Sequence, residues 1–543
     1  MRTAFINGHL LTMAEDQPTA EALLVDDGDI VAVGSSADVL AQVSDDTEVV
    51  DLGGKTLLPG FIDPHSHFMN LVQFAVWADV SGEAAGGPVR RIDDVISQLK
   101  GFVESTSPAP GEWIVGIGYS EVDLEEGRHV TVDDLDPHFP DNPVLLFHRS
   151  NHGGVLNSAG LAVFDITADT PTPDAGVIAR KDGSNEPAGF LFDTAWIPVA
   201  TAMPQPSEER LMNGIAATLD EYASYGFTTA HEGGTSTVDL RSLQRAAAAG
   251  ILKIDVNALP LFFDIAQNVG DPGIPWNRNE NGLRCAGVKI LCDGSPQSLT
   301  GYFTQPYLVP GPNGEPDWRG APILPQEVFD QVTQLAYANG LRMFTHANGD
   351  AAVDVAIDTH VRADSSPEAK NRRSVIVHSQ FCRPDQIDRF VELGLVPTFF
   401  TNHAYYFSGA HRKFIGDERT DFLSPMRAAI DAGLKPTNHS DAGVTPLDPM
   451  FTVWTAVARE AMDGRIVGAD QRITALEALK AITVWAAYEM GEEDTKGQLA
   501  PGMVADLVIL DRNPLAIPTA ELRDVKVVRT IKSGVPVYER EAA

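Results

Sequence analysis

Only three of the 543 residues are cysteine: Cys285, Cys292 and Cys382. The number is odd and holds no Cys-x-x-Cys pair, so the chain encodes neither a disulfide framework nor a zinc ribbon, and a reducing cytoplasm suits it. Positive charge is scarce as well, with 40 Lys and Arg against 75 Asp and Glu, a formal net charge of −35. A field of that sign repels phosphate backbones and anionic lipid surfaces, which argues against nucleic-acid and membrane partners. No apolar run approaches the roughly 18 residues of a membrane span. The opening Met1-Arg2-Thr3-Ala4-Phe5-Ile6-Asn7-Gly8 has no signal-peptide apolar core, so a cytoplasmic setting is expected. Helical-repeat periods and low-complexity tracts are also missing, and the densest Pro/Gly stretch, Pro306 to Pro325, is loop-sized. What is there is an ordinary globular composition, 43% hydrophobic and 21% charged. The length allows several domains, or one barrel of about 250 residues with additions.

The first 60 residues read as short strands broken by turns, as in Ala22-Leu23-Leu24-Val25, Asp26-Asp27-Gly28-Asp29 and Ile30-Val31-Ala32-Val33. The last 45 share that texture, in Ala505-Asp506-Leu507-Val508-Ile509-Leu510 and Val525-Lys526-Val527-Val528-Arg529-Thr530-Ile531, so the termini are expected to complete one small β-sandwich. Between them lie eight apolar, β-rich segments: Thr56–His67, Gly226–His231, Leu252–Leu259, Leu283–Leu291, Leu341–His346, Ser374–Ser379, Leu395–Phe400 and Leu434–Asp441. Helical patterns separate most of them, among them Glu208–Tyr225, Pro325–Asn339, Arg383–Leu393 and Ser424–Ala432, each ending at or near a glycine. This alternation predicts an α/β fold, a (β/α)8 TIM-like barrel of parallel strands covered on both faces. About 160 residues separate the first two segments, too many for a βα connection. They predict a long α/β insertion after the first barrel strand, with strands at Trp113–Gly118 and Val144–Phe147 and a place over the barrel mouth. The expected division is 1–57 and 491–543 for the sandwich, 58–75 for barrel strand one, 76–210 for the insertion and 211–490 for the rest of the barrel.

A barrel keeps its chemistry at the C-terminal ends of its strands. There the first segment ends Asp63-Pro64-His65-Ser66-His67, and period two puts His65 and His67 on one side, close enough to chelate one metal. The fifth, sixth and eighth segments end with His346, His378 and Asp441, and the fourth carries Lys289 inside an apolar run. Any one of these alone is an ordinary packed histidine or a snorkelling lysine. Arriving together, they form a ligand set for zinc or a similar divalent ion, with one or two ions left open. Around them, His152 ends an insertion strand as a candidate for hydrogen-bonding a substrate carbonyl. His231, His403 and His439 are candidate pocket residues. Asp293 and Gln297 either structure the fourth loop or touch substrate. The aromatic residues Phe399, Phe400, Tyr405, Tyr406, Phe407, Tyr302, Phe303 and Trp318 suggest an apolar substrate group.

The run Pro59-Gly60-Phe61-Ile62-Asp63-Pro64-His65-Ser66-His67 resembles the strand-one signature of the amidohydrolase superfamily of metal-dependent hydrolases. Ser440-Asp441 before Pro446-Leu447-Asp448-Pro449 resembles its strand-eight aspartate, and Lys496 to Asp511 is similar to its closing sandwich. Lys289 with Asp293-Gly294-Ser295-Pro296-Gln297, His152 with Asn157-Ser158, and the long insertion resemble the branch that includes N-substituted formamide deformylases. The resemblance implies that His65 and His67 bind one metal and His346 and His378 a second. It implies a carbamylated Lys289 between them, Asp441 as a ligand and proton shuttle, and a homodimer. The implied activity is metal-dependent hydrolysis of a C–N bond in a small N-substituted formamide, amide or carbamate, the metal lowering the pKa of its water toward about 7. A deaminase or lactonase would use the same site. A non-catalytic scaffold of this fold would have lost ligands, and here all six are present.

Overall fold

The run Thr56–His67, expected as one barrel strand, divides at Gly60. In the computed structural model of the chain, which describes residues 2–541 apart from 83–86, 150–152, 174, 175, 203 and 313, Thr56–Pro59 pairs with Leu507–Leu510 and with His9–Leu11. Pairing with the parallel strands begins only at Phe61–Ile62, alongside Phe227–Thr235. A side chain at position 60 would collide with that of Thr228, so glycine is what lets the chain pass from one sheet to the other.

The terminal segments form two sheets. One runs Asp29–Gly34, Ala22–Asp26, Arg2–Ile6, Glu48–Asp51, and the other Val535–Glu539, Val527–Lys532, Leu507–Leu510, Thr56–Pro59, His9–Leu11, Thr19–Ala20. Leu23 and Val25, two apart on one strand, and Leu507 and Ile509, two apart on another, enter a single buried cluster with Phe5, Leu10, Leu57 and Ile531. Period-two alternation thus supplies an apolar face to each sheet, and the two faces share a core.

The parallel strands also fall into two sheets, ordered Leu283–Cys285, Asp255–Pro260, Phe227–Thr235, Phe61–Ile62 and Val288–Leu291, Met343–Ala347, Val375–His378, Val396–Phe399, Thr437–Asn438. All neighbours in them pair parallel, an α/β arrangement consistent with a TIM-like barrel. The fourth expected segment, Leu283–Leu291, is therefore two strands and not one. The break falls at Ala286-Gly287, where a Cβ on Gly287 would lie 2.6 Å from the Arg342 carbonyl oxygen. Past the break, Lys289 pairs with Phe344 on one side and bridges Leu261 on the other. Helices lie at Glu208–Ser224, Gln326–Ala338, Pro384–Leu393 and Met426–Asp431. Pro384–Leu393 stops on Gly394, whose φ of 67° is the left-handed cap that glycine favours.

Asn70–Thr218 is a compact unit of its own, and Met1–Met69 with Leu219–Ala543 is the other. The smaller unit carries a six-stranded mixed sheet in which Ile114–Tyr119 and Val144–His148 are neighbours, close to the two strands expected there. Among the described residues no helix is long and apolar enough to cross a membrane, and all three cysteines are buried and free.

One buried ionic network ties the C-terminal segment to the parallel strand Asp255–Pro260. Asp255 Oδ2 lies 2.6 Å from both Lys496 Nζ and Lys532 Nζ. Lys496 also meets Glu492 at 3.2 Å, and Lys532 meets Asp506 at 2.7 Å. The two ammonium groups hold the Asp255 carboxyl far below the usual carboxylate range. Asp255→Asn would remove the shared partner but leave each lysine one carboxylate. A loss of about 3 kcal/mol is expected, the low end for breaking a buried pair, read as the change in unfolding free energy in urea.

Candidate metal centre

Strand ends converge because the loops after the first and eighth strands are stitched together. Ser66, between the two histidines, accepts the Ala442 N–H at 3.0 Å through its hydroxyl, and the His67 N–H donates to the Ala442 carbonyl at 3.2 Å. This brings Asp441 Oδ1 to 3.5 Å from His67 Nε2 and 3.7 Å from His65 Nε2. Asp63 secures the turn from below, accepting the His65 N–H at 3.2 Å and the Tyr222 hydroxyl at 3.0 Å. Lys289 Nζ rises from the fourth strand to 3.1 Å from His65 Nε2. Across it, His346 Nδ1 and His378 Nε2 are 3.0 Å apart. His378, Ser379 and Asp441 hold φ of 72°, 45° and 52°, a left-handed conformation that non-glycine residues occupy at a cost and that gathers at functional sites.

The centre is almost dry: His65 is 0%, Lys289 2% and Asp441 6% exposed. The His65 ring lies 5.4 Å from those of His67, His231 and His378 and 5.2 Å from that of His439. Burial, reinforced by the Lys289 charge, pushes His67, His231 and His346 down to about 3. Burial and the neighbouring cations hold His65, His378 and His439 well below the normal range. These imidazoles are neutral, the form that binds metal. Burial pushes Asp441 up to about 7 against the pull of Lys289, and pushes Lys289 down to about 7. His65 Nδ1, His378 Nδ1, both ring nitrogens of His439 and Asp441 Oδ1 are buried with no hydrogen-bond partner. So many orphaned atoms would be costly without a further ligand. One ligand atom each from His65, His67 and Asp441 lie within 4.8 Å of one another. A divalent cation fits this donor set and would satisfy the carboxylate that burial alone disfavours.

The sequence profile of the amidohydrolase family matches residues 48–538. The chain belongs to that family. It is 29% identical over 548 aligned positions to the N-substituted formamide deformylase of Arthrobacter pascens, covering 98% of each chain. It is 27% identical over 557 positions to the putative amidohydrolase YtcJ of Bacillus subtilis strain 168, covering 99% of this chain and 100% of that one. The crystal structure of an uncharacterized metal-dependent hydrolase from Pyrococcus horikoshii OT3 has the same fold, with a TM-score of 0.77 over 96% of this chain and 99% of that one, at 23% identity. This protein is a hydrolase of the amidohydrolase family.

Other sequence-expected residues of the amidohydrolase fall in different places. His231 and His439 pack against the His65 ring. His403 is buried beside the centre, its ring 4.2 Å from Phe400 and 5.5 Å from His411. Asp293 is an anchor: both of its oxygens are taken by the N–H groups of Asn348 and Gly349, each at 2.9 Å, and of Tyr302 at 2.8 Å. It is fully buried, which fits loop structuring and leaves no surface for substrate. It also steadies Asn348, whose Nδ2 lies 2.9 Å from His346 Nε2. Gln297 is half-buried on the same loop, away from the lining of the pocket described next. His152 lies outside the described residues.

A pocket of about 430 Å³ opens onto His67, Lys289 and His346. Its apolar wall comes from Leu261, Phe262, Phe263, Leu291, Ile323 and Leu324, in place of the aromatic residues expected for that role. Phe303 is in a buried cluster with Tyr307, Phe381 and Ile415, against which Trp318 packs, and Tyr405 rests on Tyr406, Phe451 and Trp454. Phe303 is core, and Trp318 and Tyr405 are half-buried outside the pocket lining. Phe263 and Ile323, 73% and 55% exposed, stand at the pocket instead. A signal for them was present, since Leu261-Phe262-Phe263 continues an apolar strand beyond its end. Asp63 and Ser66 were missed because they act through the His65 and Ala442 backbone and the Tyr222 hydroxyl, contacts that no spacing rule reveals.

Proposed function

We propose that this amidohydrolase cleaves the C–N bond of a small N-substituted formamide, amide or carbamate. The observation that carries the reading is the meeting of Asp441 Oδ1 with His65 and His67 at 3.7 and 3.5 Å, beside a pocket whose wall is apolar. His65, His67 and Asp441 would hold one divalent ion and His346 and His378 a second, zinc suiting imidazole-rich sets. Lys289, carrying carbon dioxide as a carbamate, would turn a buried cation into an anionic two-oxygen ligand between them. Such ions supply an acidified water and polarise the substrate carbonyl. Asp441 takes the proton of the attacking water and returns it to the leaving nitrogen, a task suited to a carboxyl 3.5 and 3.7 Å from the two histidines that would hold the ion. Leu261, Phe262 and Leu324 receive the apolar substituent on that nitrogen. For a formamide the products are formate and an amine. The 29% identity to the Arthrobacter deformylase supports this choice of bond.

The test is incubation of the metal-loaded protein with a panel of N-substituted formamides, amides and carbamates, following amine by derivatisation and formate by a coupled assay. Equimolar amine and carboxylic acid are expected from at least one formamide. Ammonia without amine, or acidification without either, would replace this reading with deamination or lactone opening.

A further inference from the structure

Immediately after His231 comes Glu232-Gly233-Gly234, three residues with no part in the chemistry above. Glu232 is 2% exposed, and both oxygens of its carboxylate are engaged by backbone. One accepts the Met69 N–H at 2.6 Å and the other the Gly234 N–H at 2.9 Å. The Gly233 N–H donates to the Ser66 carbonyl at 2.7 Å, and His67 and Glu232 form an isolated antiparallel bridge. The segment that carries His65 and His67 is therefore held to the second strand on both sides of His67. The two glycines are not equivalent. A Cβ on Gly233 would sit 2.6 Å from His65 Nδ1 and 2.9 Å from the Ser66 carbonyl oxygen, whereas a Cβ on Gly234 would come no nearer than 3.5 Å, to His67 Cε1. The His65 imidazole occupies the space that any side chain at 233 would need.

We infer that Glu232 and Gly233 are positioning residues for the first metal site, the glycine as the bare floor under the His65 ring and the carboxylate as the clamp on the strand-one loop. The inference rests on the metal-centre reading. It requires only that His65 and His67 bind a divalent ion, whatever the substrate. Neither residue meets the ion, so both act by limiting where the imidazoles can lie, and such outer partners are worth about 10–100-fold in metal affinity.

The test is cobalt(II) titration of the metal-stripped full chain against a competing chelator, read by visible absorbance, with thermal melting of the metal-free proteins alongside. Gly233→Ala and Glu232→Ala are expected to weaken cobalt binding by about 10–100-fold, while Gly234→Ala stays within about twofold because its new methyl has room. Placed in a His65→Ala background, Gly233→Ala should cost less than it does in the wild type, since the ring it displaces is gone and only the Ser66 carbonyl remains in its way. Glu232→Gln, with one acceptor oxygen for two N–H donors, should fall between the wild type and Glu232→Ala, and it carries the test if Gly233→Ala does not fold. Wild-type affinity in Gly233→Ala and Glu232→Gln, or equal losses in Gly233→Ala and Gly234→Ala, would overturn the inference. A wild-type chain that bound no cobalt would overturn the metal-centre reading and this inference with it.

Discussion

Asp441→Asn is expected to lower kcat by about 10²- to 10⁴-fold, the range of a positioned acid–base group, with the metal content unchanged. Asparagine keeps the shape and an acceptor oxygen, so His65 and His67 retain their neighbour at the bottom of the centre. It cannot take a proton from water and hand it to nitrogen. The loss should fall on kcat and kcat/KM together, because the interaction is made only as the bond breaks. Steady-state kinetics of the metal-loaded variant, with metal counted by mass spectrometry, separate this from a binding defect. Full kcat in Asp441→Asn would remove the carboxyl from the proton path. Loss of metal and activity together would make it a ligand first.

How much of this was readable from residues alone depended on how local each cause is. His65, His67, His346 and His378 could be found because each stands where an apolar run ends, and apolar runs mark strands wherever they pair. What such a run does not contain is its partner. Thr56–Pro59 and Phe61–Ile62 look continuous, yet one pairs with Leu507–Leu510 and the other with Phe227–Thr235. The same ambiguity hid the break at Gly287, which is set by the approach of the Arg342 carbonyl from a strand more than fifty residues away. Aromatic residues misled for a related reason. A cluster of Phe and Tyr in sequence reads alike whether it lines a pocket or fills a core, and here Phe303 fills core and Tyr405 packs half-buried on other rings while Phe262 and Phe263 face the pocket. Asp441 itself was legible as a strand-end acid. Its left-handed backbone was not, although Asp tolerates that conformation better than most residues.

Stripping the metal should remove most of the turnover. Dialysis against a strong chelator is expected to reduce turnover by at least about 1,000-fold, since the ion supplies several kcal/mol through the acidified water and the polarised carbonyl, and about 4 kcal/mol is already that factor. Lys289 decides whether one ion or two must be returned. Its ammonium lies 3.1 Å from His65 Nε2 and is 2% exposed, a position where a free cation would repel any metal held by that ring. A neutral amine would relieve the repulsion, and the carbamate proposed above would in addition give two ions a shared anion. Mass spectrometry of protein reconstituted with zinc and bicarbonate should then count about two ions per chain, the number a bridged pair requires. Lys289→Met has nearly the same shape without the charge, so it opens no large cavity. It is expected to hold about one ion or fewer and to lose activity as deeply as the stripped wild type. Two ions retained in Lys289→Met would show that the histidine pairs suffice without a bridge. One ion in a fully active wild type would leave His346 and His378 as substrate contacts, and Lys289 as the group that orients His65 between them.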